Sequence, residues 1–491
     1  MYTLETLPLA NRFAQLPAHF YARVAPTPLQ NPVLLSFNEA AADLIQLDPA
    51  EALRPDFAAV LGGSKLLAGA EPLAMLYAGH QFGHYVPQLG DGRAILLGES
   101  QGFELQLKGS GPTPFSRGSD GRAVLRSTIR EYLCSEAMHH LGIPSTRALC
   151  IIGSEEEVYR ERIEQGAMLL RMAPSHVRFG SFEVFFHRRQ HKPLFQLADF
   201  VLEQHYPALC GQPEPYLALL ETVVQRTARL IAQWQCVGFT HGVMNTDNMS
   251  ILGLTLDYGP FGFMDSYDAG FVCNHSDHHG RYAFDQQPAI GLWNLNMLAY
   301  AMLPLLDSEP DVAVEKARSA LLQYESCFAA AWLGGMRAKL GLQGEQPEDE
   351  SLINALLDSM QANQVDFTLL FRQLGTLERI ATDVQADYAV RDLFLDRTAF
   401  DAWAVRYRQR LQQDAVDDAI RQQQMDAVNP LYVLRNYMAQ VAIQKAEAGD
   451  YSEVERLLRL LRQPFTAQAG MEAYASHPPA WAAGISVSCS S

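Results

Sequence analysis

No stretch of the 491 residues approaches the run of about 18 apolar residues that a membrane-spanning helix needs. The opening MYTLETLPLANRF also lacks a charged n-region followed by an apolar h-region, so the expected location is the cytoplasm, away from any membrane. Positive charge is scarce. The 38 Lys and Arg against 55 Asp and Glu give a formal charge of -17, which argues against nonspecific nucleic-acid binding and against anionic membrane surfaces. Any phosphate ligand must therefore be held by a local cluster of cations. Cysteine is sparse as well: the seven residues, at 134, 150, 210, 236, 273, 327 and 489, form no CxxC pair and are too few for a secreted disulfide scaffold. Walker A and dinucleotide fingerprints, internal repeats and low-complexity linkers are all missing.

What is present is 48% apolar residues in a chain long enough for two or three packed lobes. Residues 1–90 are rich in loops, with proline-punctuated APTPLQNPVLL and a short helical candidate at Ser36–Leu47. From about residue 94 the texture is strand-like, in AILLGE, FELQLKG, ALCIIG, EEVYRE and GAMLLRMA. Between the second and third of these lies a helix, GRAVLRSTIREYLCSEAMHHLG, with a stripe at Val124, Ile129, Leu133 and Ala137 and a stop at Gly142 and Pro144. Beyond about residue 175 the pattern becomes helical, beginning with the amphipathic LLETVVQRTARLIAQWQCVGF. The expected class is α+β, a small sheet with one important helix followed by a mainly helical lobe.

Five segments carry residues suited to phosphate chemistry, and each has a plainer reading. In GDGRAILLGE, Gly90 and Gly92 let a backbone approach a phosphate that Arg93 pairs with, or they make a hairpin turn. Lys108 ends a strand and Glu131 sits in the next helix, a pairing that fixes a phosphate-binding lysine or makes a surface salt bridge. The loop GSGPTPFSRGSDGRAVLRS brings Arg117, Asp120, Gly121 and Arg122 before a helix start, an anion site or a solvated cap. Arg171 and Arg178 offer fork-like donors around Pro174, for phosphoryl oxygens or for solvent.

The fifth segment is HGVMNTDNMSILGLTLDYGPFGFMD. Asn248 and Asp257 are hard oxygen ligands of the kind Mg2+ or Mn2+ accepts together with water and phosphate, or, each taken alone, ordinary turn or cap residues. The order strand Lys, helix Glu, His-Gly loop, Asn, Asp-Tyr-Gly resembles the protein-kinase signature. The match has a hole: with His241 on the kinase His, Gly242 takes the place of the Arg and Val243 that of the catalytic Asp. Asp247 is the candidate proton acceptor from a different position.

The segments LKGSGPTPFSRGSDGRAVLRSTIREYLCSEAMHHLGIPSTRAL, HGVMNTDNMSILGLTLDYGPFGFMD and NPLYVLRNYMAQ resemble the selenoprotein O family, protein adenylyltransferases of kinase-like fold. The resemblance implies a two-lobed layout: an N-terminal extension over 1–90, a kinase-like N-lobe over 91–175, a C-lobe with the catalytic and metal loops over 176–385, and a helical C-terminal region with a redox-candidate tail over 386–491. In such proteins ATP lies inverted, and AMP passes to Ser, Thr or Tyr hydroxyls of proteins as pyrophosphate departs. Carried over residue by residue, Lys108 holds phosphate and pairs with Glu131. Gly90, Gly92, Arg93, Asp120, Gly121, Arg171, Arg178 and Asp257 line the nucleotide site. Asp247 accepts the proton, while Asn248 and Asp257 hold Mg2+ or Mn2+. Uridylyl transfer from UTP with Mn2+ is also implied.

Animal members carry selenocysteine near the C-terminus and bacterial members cysteine, which makes Cys489 and Cys273 a candidate redox pair; on residues alone Cys489 is either a reactive thiol or an incidental one. His275, Asp277, His278 and His279 are poorly spaced for zinc and read as a hydrogen-bonded loop. Two rival functions remain at this level: a kinase of small molecules or proteins, and a noncatalytic nucleotide-binding scaffold.

Overall fold

The apolar runs in the first third of the chain are continuous because the sheet they build is covered on both faces. The computed structural model describes residues 1–380, 387–414 and 416–488. Its strands are β1 (Tyr21–Arg23), β2 (Val33–Phe37), β3 (Leu73–Met75), β4 (Gly79–Gln81), β5 (His84–Val86), β6 (Ala94–Ser100), β7 (Phe103–Lys108), β8 (Ala123–Val124), β9 (Arg147–Tyr159), β10 (Ile163–Ala173), β11 (Phe239–Thr240) and β12 (Gly262–Phe263). The main sheet is antiparallel throughout, in the order β1-β3-β6-β7-β10-β9-β2, with β8 paired to β10. Three of its strands come from residues 1–90, whose short runs between prolines give little strand signal of their own. The run ALCIIG and the first four residues of EEVYRE belong to one strand, β9, because a bulge between Gly153 and Glu157 absorbs the polar residues that interrupt the pattern.

Side chains alternate across this sheet. Ile95, Leu97, Leu105, Leu107, Leu149 and Leu170 face a core built with α1 (Glu39–Leu44) and α2 (Phe57–Leu61). Helix α1 is shorter than the Ser36–Leu47 expectation, since Ser36 and Phe37 pair in β2 and Asn38 caps the helix through its side chain. Ala148, Ile151, Ala167 and Leu169, one residue out of step, face α3 (Leu125–His140). Helix α3 is buried nearly all round rather than along one stripe. Its far side is covered by α15 (Asn436–Glu447) and α16 (Ser452–Leu461), whose Ala442, Ile443, Leu457 and Leu458 share its core.

A helical body follows the sheet. Helices α4 (Phe179–His187), α5 (His191–His205), α6 (Pro215–Cys236), α7 (Gln287–Leu306) and α8 (Pro310–Leu321) share one core. Helices α9 (Gln323–Lys339), α10 (Asp349–Asn363), α11 (Phe367–Gln373), α12 (Tyr388–Arg391), α13 (Arg397–Asp414) and α14 (Asp418–Asp426) build another. Against the sequence expectation, the segment Phe284–Leu306 is long and apolar enough to cross a membrane by composition. Half of its most apolar 18-residue stretch is buried, packed against the neighbouring helices of this body as befits a core helix.

Candidate active site

The loop from His241 to Pro260 is held by short-range pairing at both ends. Strands β11 and β12 close it through Phe239↔Phe263 and Thr240↔Gly262. Single bridges tie Thr255 to Ser145 beside the sheet and Ser250 to Arg178 at the start of α4. Trp234 in α6 donates its indole N–H to Thr255 Oγ1 at 2.9 Å. His241 is a brace rather than a base: its Nε2–H donates to the Leu256 carbonyl at 3.0 Å, while Nδ1 accepts from the Val243 amide. Burial lowers its pKa and keeps the ring neutral. Gly242, at the kinase Arg position, has φ 79°, and a Cβ there would lie 2.5 Å from the Pro260 carbonyl oxygen and 2.7 Å from Cys273 Sγ. No arginine fits.

Between this loop and the sheet lies a cavity of about 670 Å3. Gly90, Gly92, Arg93, Lys108, Asp120, Gly121, Arg171, Arg178, Asp247, Asn248 and Asp257, expected from the sequence as site residues, all line it. At its centre Lys108 Nζ lies 2.5 Å from Glu131 and 3.1 Å from Asp257. Arg171 reaches Asp257 Oδ1 at 2.6 Å and Glu131 at 3.2 Å, and Arg178 reaches Asp257 Oδ2 at 2.7 Å. Burial alone would raise the Asp257 pKa, but Arg171, Lys108 and Arg178 outweigh it and hold the carboxyl well below its usual range. Glu131 stands behind the lining, clamping Lys108 and Arg171 from α3.

Arg178 also donates to the Asp247 carbonyl at 2.9 Å, so one guanidinium ties both acidic loop residues together. Its other terminal nitrogen, Nη2, is buried without a hydrogen-bond partner among the described residues. Asp247 is buried; Oδ2 accepts from Gln81 at 3.1 Å, and Oδ1 has no donor among the described residues. Desolvation pushes its pKa up to about 7, against the lowering pull of Gln81 and Arg178. Asn248 spends its amide N–H on the Val243 carbonyl at 3.0 Å, which leaves Oδ1 as its ligand atom. Arg93 is exposed at the cavity edge, and Asp120 is gripped by both terminal nitrogens of Arg160 at 2.7 and 2.8 Å.

The sequence reading missed four residues. Gln106 accepts from Arg171, Tyr77 lies 4.5 Å beneath the Arg178 guanidinium, and buried Asp91 accepts from the Met75 amide and Gln106. Gln81, on β4, bonds to Asp247. Of these, only Gln106 shares a recognised motif strand, and its alternation with Lys108 was the available signal.

A loop-held Asn and Asp, a strand Lys clamped by a helix Glu, and two buried arginines converging on one carboxylate are the parts of a nucleotide-phosphate site. A family model described as protein adenylyltransferase SelO matches residues 3–462. The chain belongs to the SelO family. Among its relatives, the protein nucleotidyltransferase YdiU of Thioalkalivibrio sulfidiphilus is 58% identical over the whole of both chains. The namesakes in Myxococcus xanthus and Pseudomonas fluorescens are 56% and 52% identical, again over full length. This SelO-family chain is accordingly an enzyme, a nucleotidyltransferase. Its mixed α+β fold, with a small antiparallel sheet and many helices, is compatible with the kinase-like class.

The remaining candidates lie elsewhere. Cys273 is buried, with its Sγ 2.7 Å from the Pro260 carbonyl oxygen. The His275 amide donates to the Val487 carbonyl at 2.8 Å, while Cys489 itself lies outside the described residues. Asp277 accepts from the Arg281 and Tyr282 amides, so its loop is hydrogen-bonded, and among the described residues it forms no metal-like cluster with its neighbouring histidines.

Proposed function

We propose that this nucleotidyltransferase moves AMP from ATP onto Ser, Thr or Tyr hydroxyls of protein substrates. The observation that carries the reading is the convergence of Lys108, Arg171 and Arg178 beside a buried carboxylate, Asp247, with an unpartnered oxygen in the same cavity. A substrate hydroxyl oxygen bonds to the α-phosphorus, its proton passes to Asp247, and the α,β-bridging bond breaks with its electron pair leaving on pyrophosphate. Lys108 and the two arginines offset the phosphate charge from fixed positions, while Glu131 and Gln106 hold them there. Gly90, Gly92, Arg93, Asp120 and Gly121 complete the nucleotide-facing wall.

The donor chemistry at Asn248 and Asp257, one amide oxygen and one carboxylate, fits a hard divalent ion, Mg2+ or Mn2+. When bound, such an ion supplies charge neutralisation for the phosphates. UTP with Mn2+ is a second nucleotide donor under the same proposal, and the cytoplasm, where both nucleotides are abundant, is the proposed location. The proposed layout places the kinase-like N-lobe at 91–175 and the C-lobe at 176–385, flanked by the extension at 1–90 and the region 386–491. Cys273 and Cys489 are the proposed redox pair, motivated by the contact of Val487 with His275; non-reducing peptide mapping of oxidised protein should yield their crosslinked peptides, and their absence refutes the pair.

The deciding experiment gives purified protein Mg2+ or Mn2+, acceptor proteins from a lysate, and ATP labelled at either the α or the γ phosphate, with Asp257→Asn as control. Protein-bound label is expected from the α position alone and only with the unmodified enzyme. Label from γ would mean kinase chemistry, and neither label would leave a nucleotide-binding scaffold or a lysate without the acceptor protein.

A further inference from the structure

Away from the nucleotide cavity, three potential ligand side chains converge beside the β4–β5 hairpin. Glu183 and His187 stand four residues apart in α4, hence on one helical face, and His80 approaches them from β4. Their ligand atoms all lie within 4.8 Å of one another, and His80 Nδ1 is 2.7 Å from Glu183 Oε2. None of the three lines the nucleotide cavity.

A His–Glu ion pair accounts for only part of this arrangement. Glu183 is wholly buried, and its second oxygen, Oε1, has no hydrogen-bond partner among the described residues. A buried carboxylate oxygen left without a donor is costly, and a cation shared with the nearby imidazoles removes that cost. The rings are already oriented: Tyr85 lies against His187 with centroids 3.9 Å apart and planes tilted by 36°, and Trp293 meets His80 edge-on at 5.4 Å. His187 is the exposed member and gives an ion its way in. Two imidazole nitrogens and one carboxylate oxygen, with a position open to water, are the donor set of zinc and its late first-row neighbours rather than of Mg2+.

The position matters for catalysis. The His80 amide donates to Thr246 Oγ1 at 2.7 Å, and the next residue, Gln81, bonds to Asp247. A Cβ at Gly79 would lie 2.7 Å from Asp247 Oδ1, so β4 packs directly on the proposed base. Helix α4 begins immediately after Arg178. An ion joining β4 to α4 thus fixes the strand that touches Asp247 to the helix that follows the phosphate-binding arginine.

We propose that His80, Glu183 and His187 form a site for one divalent zinc-class ion, separate from the nucleotide metal, that clamps the β4–β5 hairpin against α4 and positions Asp247. The test uses full-length, chelator-treated protein without nucleotide, titrated with Zn2+ by equilibrium dialysis and elemental analysis, and with Co2+ to record the visible absorption of a low-coordinate site. Wild type and Asp257→Asn should each take up one equivalent. His187→Ala, which changes an exposed side chain, and Glu183→Gln should each weaken uptake by at least the roughly 10–100-fold that loss of even an outer partner costs. Hydrogen exchange of the amides at 79–86 should slow on Zn2+ binding in wild type and not in His187→Ala. Equal uptake by wild type and His187→Ala, or loss of uptake in Asp257→Asn alone, overturns the site. Uptake without slowed exchange at 79–86 overturns the clamp.

Discussion

Asp247 and Asp257 show how one residue type acquires opposite character from its surroundings. Asp257 is surrounded by three cations and stays ionised, whereas Asp247 lies beside one amide donor in a buried position and titrates near about 7. The fold favours the neutral form of Asp247, so its destabilising effect is absent below the ordinary carboxylate value, grows as pH rises, and is complete above about 7. Asp247→Asn should therefore melt at a higher temperature than wild type at pH 8, with the gain vanishing near pH 4; a wild type that is the more heat-stable at pH 8 refutes the shift. The same variant should lose roughly 100- to 10,000-fold in AMP-transfer rate while retaining ATP affinity, and the wild-type kcat/KM should rise with pH through about 7. Asp257→Asn has the reverse effect on stability. It leaves Lys108, Arg171 and Arg178 without their shared anion and should cost about 3–5 kcal/mol, read as a lowered Tm that added ATP partly restores.

At the scale of elements, the site depends on helices and strands that brace the loop from behind. Trp234, buried in α6, reaches Thr255 with its indole nitrogen, and Thr255 in turn donates to the Pro144 carbonyl. Trp234→Phe keeps most of the ring packing and removes one buried hydrogen bond, so it should cost about 1 kcal/mol and raise the KM for ATP more than it lowers kcat. An unchanged Tm and KM would show that the loop needs no such brace. The elements themselves were unevenly legible. The strand ending in Lys108 and the helix carrying Glu131 are local patterns, so their succession could be read from the chain. The strands within residues 1–90 could not, because β1, β3 and β4 have only three residues each and gain their identity from distant partners. For the same reason Tyr77 and Gln81 escaped notice: they reach the site through pairing and packing that no short motif records, whereas Asp91 sits between Gly90 and Gly92 in GDGRAILLGE, where the glycines alone drew the reading.

For the whole molecule, the formal charge of -17 coexists with a cavity whose centre holds a lysine and two arginines. This is possible because those cations are matched internally by Glu131 and Asp257, so the site's field is set by its own residues rather than by the net charge. The positions of those residues depend in turn on the far end of the chain. Helix α3, which carries Glu131, is buried between the sheet and the C-terminal helices α15 and α16, so its outer face is not covered until residues from 436 onward have folded. Leu457 is fully buried in that layer. Leu457→Ala should cost about 2–5 kcal/mol through lost burial and the cavity left behind. Because it does not line the nucleotide cavity, the effect should appear as a lower Tm and faster proteolysis, with AMP transfer per folded molecule unchanged well below the transition. A variant with normal Tm but impaired transfer would mean instead that α16 steers Glu131 directly, and that the C-terminal layer belongs to the catalytic apparatus rather than to its foundation.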